Sequence, residues 1–139
     1  MSPIVKLAVI IAFSFAVSSI AASQDATTQT QPVQRKCVAF ASENSSTAHF
    51  SQNALQAAVT QGGDLDFYPT EHPGCWTVHE ISASLGTTPQ GYAISWVVTD
   101  LHDLYVGHGL NLGQQDAFTK AMQAAAAAAR KDISTQTSH

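Results

Sequence analysis

Charge is scarce in this chain, and that scarcity already narrows the classes of function. Only 12% of the 139 residues are charged, about half the usual share, and acids outnumber bases by ten to six. A protein that binds nucleic acid through its surface instead carries more basic than acidic residues. The sequence therefore predicts no nucleic-acid partner.

Long apolar runs are also rare, and the clearest one lies near the N-terminus. Residues 7–17 are apolar apart from one serine, follow Lys6 and precede a run of small residues. This order is typical of a secretory signal peptide, which we place at residues 1–23. Eleven residues are too few to cross about 30 Å of hydrocarbon, so we expect a secreted protein without a stable membrane anchor.

Cysteine occurs only twice, as Cys37 and Cys75. The oxidising secretory route favours a disulfide between them, but one bridge cannot replace an apolar core. Asn44 begins an N-glycosylation sequon and is a possible modification site. We divide the remaining chain into a linker at 24–35, one domain at 36–132 and a disordered tail at 133–139.

The periodicity of the domain predicts an α+β fold. Residues 37–41 read as a strand, and a helix follows up to Thr60. Residues 75–81 and 92–98 alternate between apolar and polar, and residues 101–106 offer a third strand of a meander. The glycine-rich residues 107–113 read as a turn into a last helix at 114–131. We expect a small antiparallel sheet of three to four strands packed against two helices, with one disulfide.

Six consecutive alanines, residues 124–129, mark that last helix. They favour a helix but supply little bulk, so they predict close approach to a sheet or partner.

Motifs for cofactors, metals and nucleophilic serine are missing from the sequence. It contains no G-x-G-x-x-G, H-E-x-x-H or G-x-S-x-G pattern, so we expect no cofactor and no metal. Histidines and acids do cluster, which leaves a small secreted hydrolase as an alternative. Its acid/base residues would be His72 or His102 with Glu71 or Asp100. The Tyr68–His72 region is faintly similar to guanyl-specific fungal ribonucleases.

Two sets of residues are candidates for docking a partner protein. The first is similar to the short motif by which plant proteins dock on Topless-type co-repressors, and it comprises Asp64, Leu65, Asp66 and Pro69. Its alternative interpretation is a loop that enters a strand with Leu65 in the core. The second set is aromatic, because aromatic side chains dominate binding hot spots. It comprises Trp76, Tyr92, Trp96 and Tyr105, with core packing as the alternative for both tryptophans.

The combination of a leader, one disulfide and a small α+β domain resembles the secreted effectors of plant-pathogenic fungi, including smut-type virulence proteins. Three segments are similar to the necrosis-inducing effector domain of leaf-mould fungi, namely residues 74–78, 106–107 and 116–118. The resemblance implies a non-catalytic protein that binds a host protein to promote infection. It would act outside the host cell or after translocation into it.

Overall fold

The computed structural model describes residues 35–43 and 46–137, and these form an α+β fold of five strands and two helices. The predicted leader, residues 24–34 of the predicted linker, and Asn44 lie outside the described residues. In chain order the elements are β1 (Cys37–Ser42), α1 (Ala48–Thr60), β2 (Asp66–Tyr68), β3 (Trp76–Ser84), β4 (Tyr92–Thr99), β5 (Tyr105–Gly113) and α2 (Asp116–Gln136).

The sheet is mixed, with strand order β2-β1-β3-β4-β5. Strand β1 runs parallel to both β2 and β3, whereas β3, β4 and β5 form an antiparallel meander. The prediction of an antiparallel sheet of three to four strands is therefore wrong in both respects. Helix α1 carries the chain from β1 back to a parallel neighbour, and the three-residue β2 is too short to show a period in the sequence.

Glycine-rich residues 107–113, predicted as a turn, are instead part of β5. Their glycines face the helices at alternate positions, where a larger residue has little room. A Cβ on Gly107 would meet Ala128 at 3.5 Å, and one on Gly113 would meet Ala117 at 3.3 Å. The alanine-rich helix α2 thus packs closely on β4 and β5, as its composition predicts.

Helix α2 continues to Gln136, so the predicted tail is wrong over residues 133–136. Packing extends the helix, because Ile133 is buried and the Asp132 carboxylate accepts a 2.8 Å hydrogen bond from the Trp76 indole. The two helices are also tied together. The Arg130 guanidinium donates to the carbonyls of Ala58 and Val59, at 3.0 and 2.8 Å, near the end of α1.

Both helices cover the same face of the sheet, and the apolar core lies between them. Alternate strand residues point into this core, among them Val78, Ile94 and Val98, and meet Leu55 of α1 and Phe118 of α2. The other sheet face has no helix over it among the described residues.

One polar cluster interrupts the core below the first turn of α1. The Glu80 side chain is almost fully buried, and its carboxylate accepts hydrogen bonds from Ser42 at 2.8 Å and Ser51 at 2.9 Å. The hydroxyl of Thr47, at the start of α1, forms a hydrogen bond with the Ser82 hydroxyl and does not cap the helix. Among residues 35–43 and 46–137, every buried side-chain nitrogen and oxygen atom has a hydrogen-bond partner, as a stable core requires.

The predicted Cys37–Cys75 disulfide is confirmed. Cys37 begins β1 and Cys75 directly precedes β3, so parallel pairing brings their Cα atoms to 4.8 Å. Both cysteines are buried together with Ala39, and Tyr68 packs against them. In the chain-entropy model, a bridge between residues 38 positions apart stabilises the fold by about 4 kcal/mol.

Candidate functional site

The most prominent surface feature is the sheet face turned away from α1 and α2, here termed the open face. Side chains alternate along β3, β4 and β5, so every second residue of these strands projects there. Ile81, Val97, Leu110 and Leu112 lie on this face with exposed fractions of 55%, 37%, 65% and 66%.

These four apolar residues form a diagonal band. Ile81 pairs with Ser95 and His79 pairs with Val97, which makes Ile81 and Val97 diagonal neighbours. Leu110 also pairs with Ser95 and lies diagonal to Val97, and Leu112 follows it on the same side of β5. Diagonal neighbours on one sheet face are within reach of large side chains. The open face therefore presents a continuous apolar patch, which is typical of a surface that contacts another molecule.

A cleft of about 660 Å³ lies at one end of the open face. Its lining includes Glu71, His72, Thr77, His79 and Asp103. A smaller cleft of about 210 Å³ shares Glu71 and His79 with the larger one and is also lined by Ile81 and Val97. Polar and titratable groups thus adjoin the apolar band.

The two histidines of the larger cleft are held by different contacts. The His72 ring stacks on Tyr68 with ring centres 3.8 Å apart and an interplanar angle of 8°. Nε2 of His79 is 3.2 Å from the Thr99 hydroxyl, on the neighbouring strand. Within residues 35–43 and 46–137, no group of three or more His, Cys, Asp and Glu side chains could hold a metal ion. Chemically, the cleft offers proton donors and acceptors beside carboxylates.

Only half of the predicted acid/base set lies in this cleft. Glu71 and His72 line it, but His102 and Asp100 do not. Asp100 is buried, and its Oδ1 accepts the backbone N–H groups of His102 at 2.8 Å and Leu104 at 2.9 Å. The Asp100 carboxylate thus closes the β4–β5 turn and lies outside the cleft, and its role as a partner for catalysis stays a prediction.

Asp100 also shows a perturbed ionisation. Burial by itself would raise the pKa of Asp100, but the backbone N–H donors of Leu104 and His102 favour the carboxylate and lower the pKa below its usual 3.8. The positive charge of a protonated His102 and a hydrogen bond from Gln136 act in the same direction. The carboxylate form of Asp100 is therefore favoured in the folded protein.

The predicted aromatic docking set is largely core. Trp76 and Trp96 are buried, so the prediction that they form a docking surface is wrong. They face the helices, where Trp96 packs over Gly109, its partner on β5. Tyr92 is half-buried and packs on Phe118 at 5.0 Å between ring centres. Tyr105 alone of the four is well exposed, at 63%.

The predicted co-repressor motif is not presented as an accessible peptide. Leu65 is buried in the core, and the neighbouring Asp66 belongs to β2 and pairs with Arg35 at 3.3 Å. Asp64 lies 3.5 Å from Arg130 of α2. Docking through Leu65 is therefore ruled out for this fold because the motif is part of the packed structure, whereas Pro69 is exposed after β2.

The apolar band of the open face is not among the sites that the sequence predicts. The alternation of β3 and β4 predicts both strands, but it does not show that the face with Ile81 and Val97 is the exposed one and that the aromatic residues lie on the covered face. The glycines around Leu110 and Leu112 favour a turn in the sequence, and a turn conceals the strand that exposes these two leucines. A period of two across 108, 110 and 112 is the signal that would have revealed them.

Comparison with known proteins identifies no family. No family model matches the chain, and no curated protein matches it. Among solved structures, the chain is similar to the 2.35 Å crystal structure of a minor lipoprotein from Acinetobacter baumannii. The match has a TM-score of 0.38 and 8% sequence identity, and it covers 73% of this chain and 92% of that chain. None of the helices in the described part of the chain is long and apolar enough to cross a membrane.

Proposed function

We propose that this protein is a secreted, non-catalytic binding protein that docks a host protein on its open face. The observation that carries the proposal is the band formed by Ile81, Val97, Leu110 and Leu112, which leaves four aliphatic side chains in water on one sheet face. Burying such a patch against a partner is favourable by about 25 cal/mol per Å² of apolar surface.

The surroundings of the band fit a protein interface. Exposed Tyr105 lies on the same strand as the two leucines, and polar residues of the adjoining clefts supply a rim. An apolar centre with a polar rim and an aromatic residue is the usual composition of a protein–protein interface. The charge balance of ten acids to six bases favours a host partner with a neutral or basic surface.

The effector role rests on the sequence. The predicted leader, the disulfide and the resemblance to smut-type effectors support an origin in a plant-pathogenic fungus and a role in infection. The site of action is then the space outside the host cell or, after translocation, its interior.

A capture experiment with paired variants tests this proposal. The tagged protein is incubated with host extract, and enriched proteins are identified by mass spectrometry and then remeasured as purified partners. We expect an Ile81→Ser/Val97→Ser variant to lose at least about tenfold in affinity for the partner. Leu104→Ser is the matched control, because Leu104 is 63% exposed but lies in the β4–β5 turn. Equal affinity of both variants would refute docking on the open face.

The cleft lined by His72, His79 and Glu71 favours a second candidate, a small ribonuclease-like hydrolase. Imidazole and carboxylate groups at one open cleft are the groups that acid/base cleavage requires. We would assay RNA cleavage by the protein and by His72→Ala and His79→Ala variants. His102→Ala is the control, since His102 lies outside the cleft. Activity that disappears only in the cleft variants would replace the binding proposal.

A further inference from the structure

Strand β5 is an edge of the sheet with few of the features that usually protect an edge; its one irregularity is a bulge at the Tyr105 end, where the register against β4 shifts between Val98 and Thr99. It is nine residues long, and no strand pairs with its outer side in the described part of the chain. Its sequence contains no Lys, Arg, Asp, Glu or Pro. An edge of this kind offers a row of backbone N–H and C=O groups to another strand.

The opposite edge of the sheet shows the contrast. Strand β2 has only three residues, carries Asp66 in an ion pair with Arg35, and is followed directly by Pro69. Short length, charge and proline are the devices that keep an edge from pairing with another chain. The two edges of one sheet are therefore built differently, and β5 alone is suited to pairing.

Side chains next to the β5 edge also suit an added strand. Leu110 and Leu112 stand about two-thirds exposed on the open face, at the point where the sheet ends. A further strand at a spacing of about 4.8 Å would place its own side chains beside these two leucines. These leucines would then be partly covered by the added strand instead of facing water on that side.

The packing of α2 on the sheet leaves room for a second copy of this chain beside β5. Helix α2 lies over β4 and β5, with Ala117 above Gly113 and Ala128 above Gly107. Because α2 lies over both β4 and β5, its axis is set back from β5 by about half the strand spacing of about 4.8 Å. If a second copy added its own β5, the two α2 helices would therefore lie about 10 Å apart. Packed helices are separated by 8–10 Å. Ala124 and Ala127 are exposed and Ala128 is half-buried, so the small side chains of α2 permit that approach.

We propose that β5 pairs antiparallel with β5 of a second copy of this chain, about a two-fold axis that passes near Gly109. Residue 108 of one copy then lies opposite residue 110 of the other, and no charged side chain of β5 meets a like charge. The two five-stranded sheets join into one, with both pairs of helices on the same side. This inference does not depend on the proposed function, although the two open faces would form one surface.

Sedimentation equilibrium over a concentration series tests the dimer with the purified, disulfide-bonded protein. We expect the protein to self-associate, and Leu110→Lys to weaken that association at least about tenfold, because two like charges would face the axis. Ile81→Lys is the matched control: its side chain is 55% exposed on the same face, but β3 lies inside the sheet. The Ile81→Lys variant should dimerise normally but no longer bind the host partner, so each of the two proposals can be refuted without the other.

A cross-linking measurement tests the register. A mixture of His108→Cys and Leu110→Cys variants should form an intermolecular disulfide, whereas Ile81→Cys mixed with either should not. A protein that stays monomeric up to about 1 mM would overturn the proposal. So would a dimer that Leu110→Lys leaves intact, or cross-linking of the 108/110 pair no faster than of the control.

Discussion

Replacement of Gly109 by alanine tests the packing of β5 most directly. Gly109 lies opposite Trp96 in the β4–β5 pair, and the indole ring lies over it. A Cβ at this position would stand 2.5 Å from Cζ2 and 2.6 Å from Cε2 of Trp96. Real Cβ atoms do not approach a ring so closely, so either the indole or the strand must move.

The cost follows from the surroundings of the indole. Trp96 is buried and its Nε1 contacts Asn111 Oδ1 at 3.4 Å, so it has little freedom to shift. Forcing extra atoms into a packed core costs about 1–3 kcal/mol. Such a loss lowers the Tm of a domain of this size by roughly 4–8 °C for each kcal/mol.

Gly107→Ala provides the matched control on the same strand. There the added Cβ meets only Ala128, at the ordinary contact distance of 3.5 Å. An alanine in a compatible conformation stabilises a protein by about 0.4–1 kcal/mol, because it restricts the unfolded chain. We therefore expect Gly107→Ala to be neutral or slightly stabilising and Gly109→Ala to be clearly destabilising.

Urea unfolding followed by circular dichroism, with the disulfide intact, measures both variants. A Trp96→Phe background removes the indole atoms that the new Cβ would meet, so Gly109→Ala should cost less there. Equal stability of the two glycine variants, or an equal cost in the Trp96→Phe background, would refute the packing described for β5.

Three further predictions concern single interactions. Asp100→Asn should lower the free energy of unfolding at neutral pH and make it less sensitive to acid. The lowered pKa of Asp100 stabilises the fold above about pH 3.8, and this contribution is lost as the pH falls through the pKa of the folded state. In urea titrations at several pH values, the same dependence of the unfolding free energy on pH in both proteins would contradict this prediction. Arg130→Met should cost about 1–3 kcal/mol through the two carbonyl bonds to α1, with Arg130→Lys intermediate, and a thermal shift of zero would contradict that role. The Cys37→Ala/Cys75→Ala variant should lose about 4 kcal/mol in unfolding experiments, and unchanged stability would show that the bridge constrains nothing.

Local patterns in the sequence predict the disulfide, two of the strands and the close packing of α2. With only Cys37 and Cys75 in the chain, one pairing was available. Alternation over residues 75–81 and 92–98 located β3 and β4, because a strand with one buried face repeats every two residues. The alanine run of α2 predicted close helix packing, since small side chains let a helix approach a sheet.

Tertiary structure decided what depends on distant partners. Glycines in β5 are unfavourable for a strand by themselves, yet the indole of Trp96 and the alanines of α2 occupy the space that larger side chains would need. Likewise the burial of Glu80 depends on hydroxyl groups from β1 and α1, which no local pattern reveals. The exposure of the open face follows from the packing of both helices on the other side of the sheet. The sequence of a single strand does not show which of its two faces will be covered.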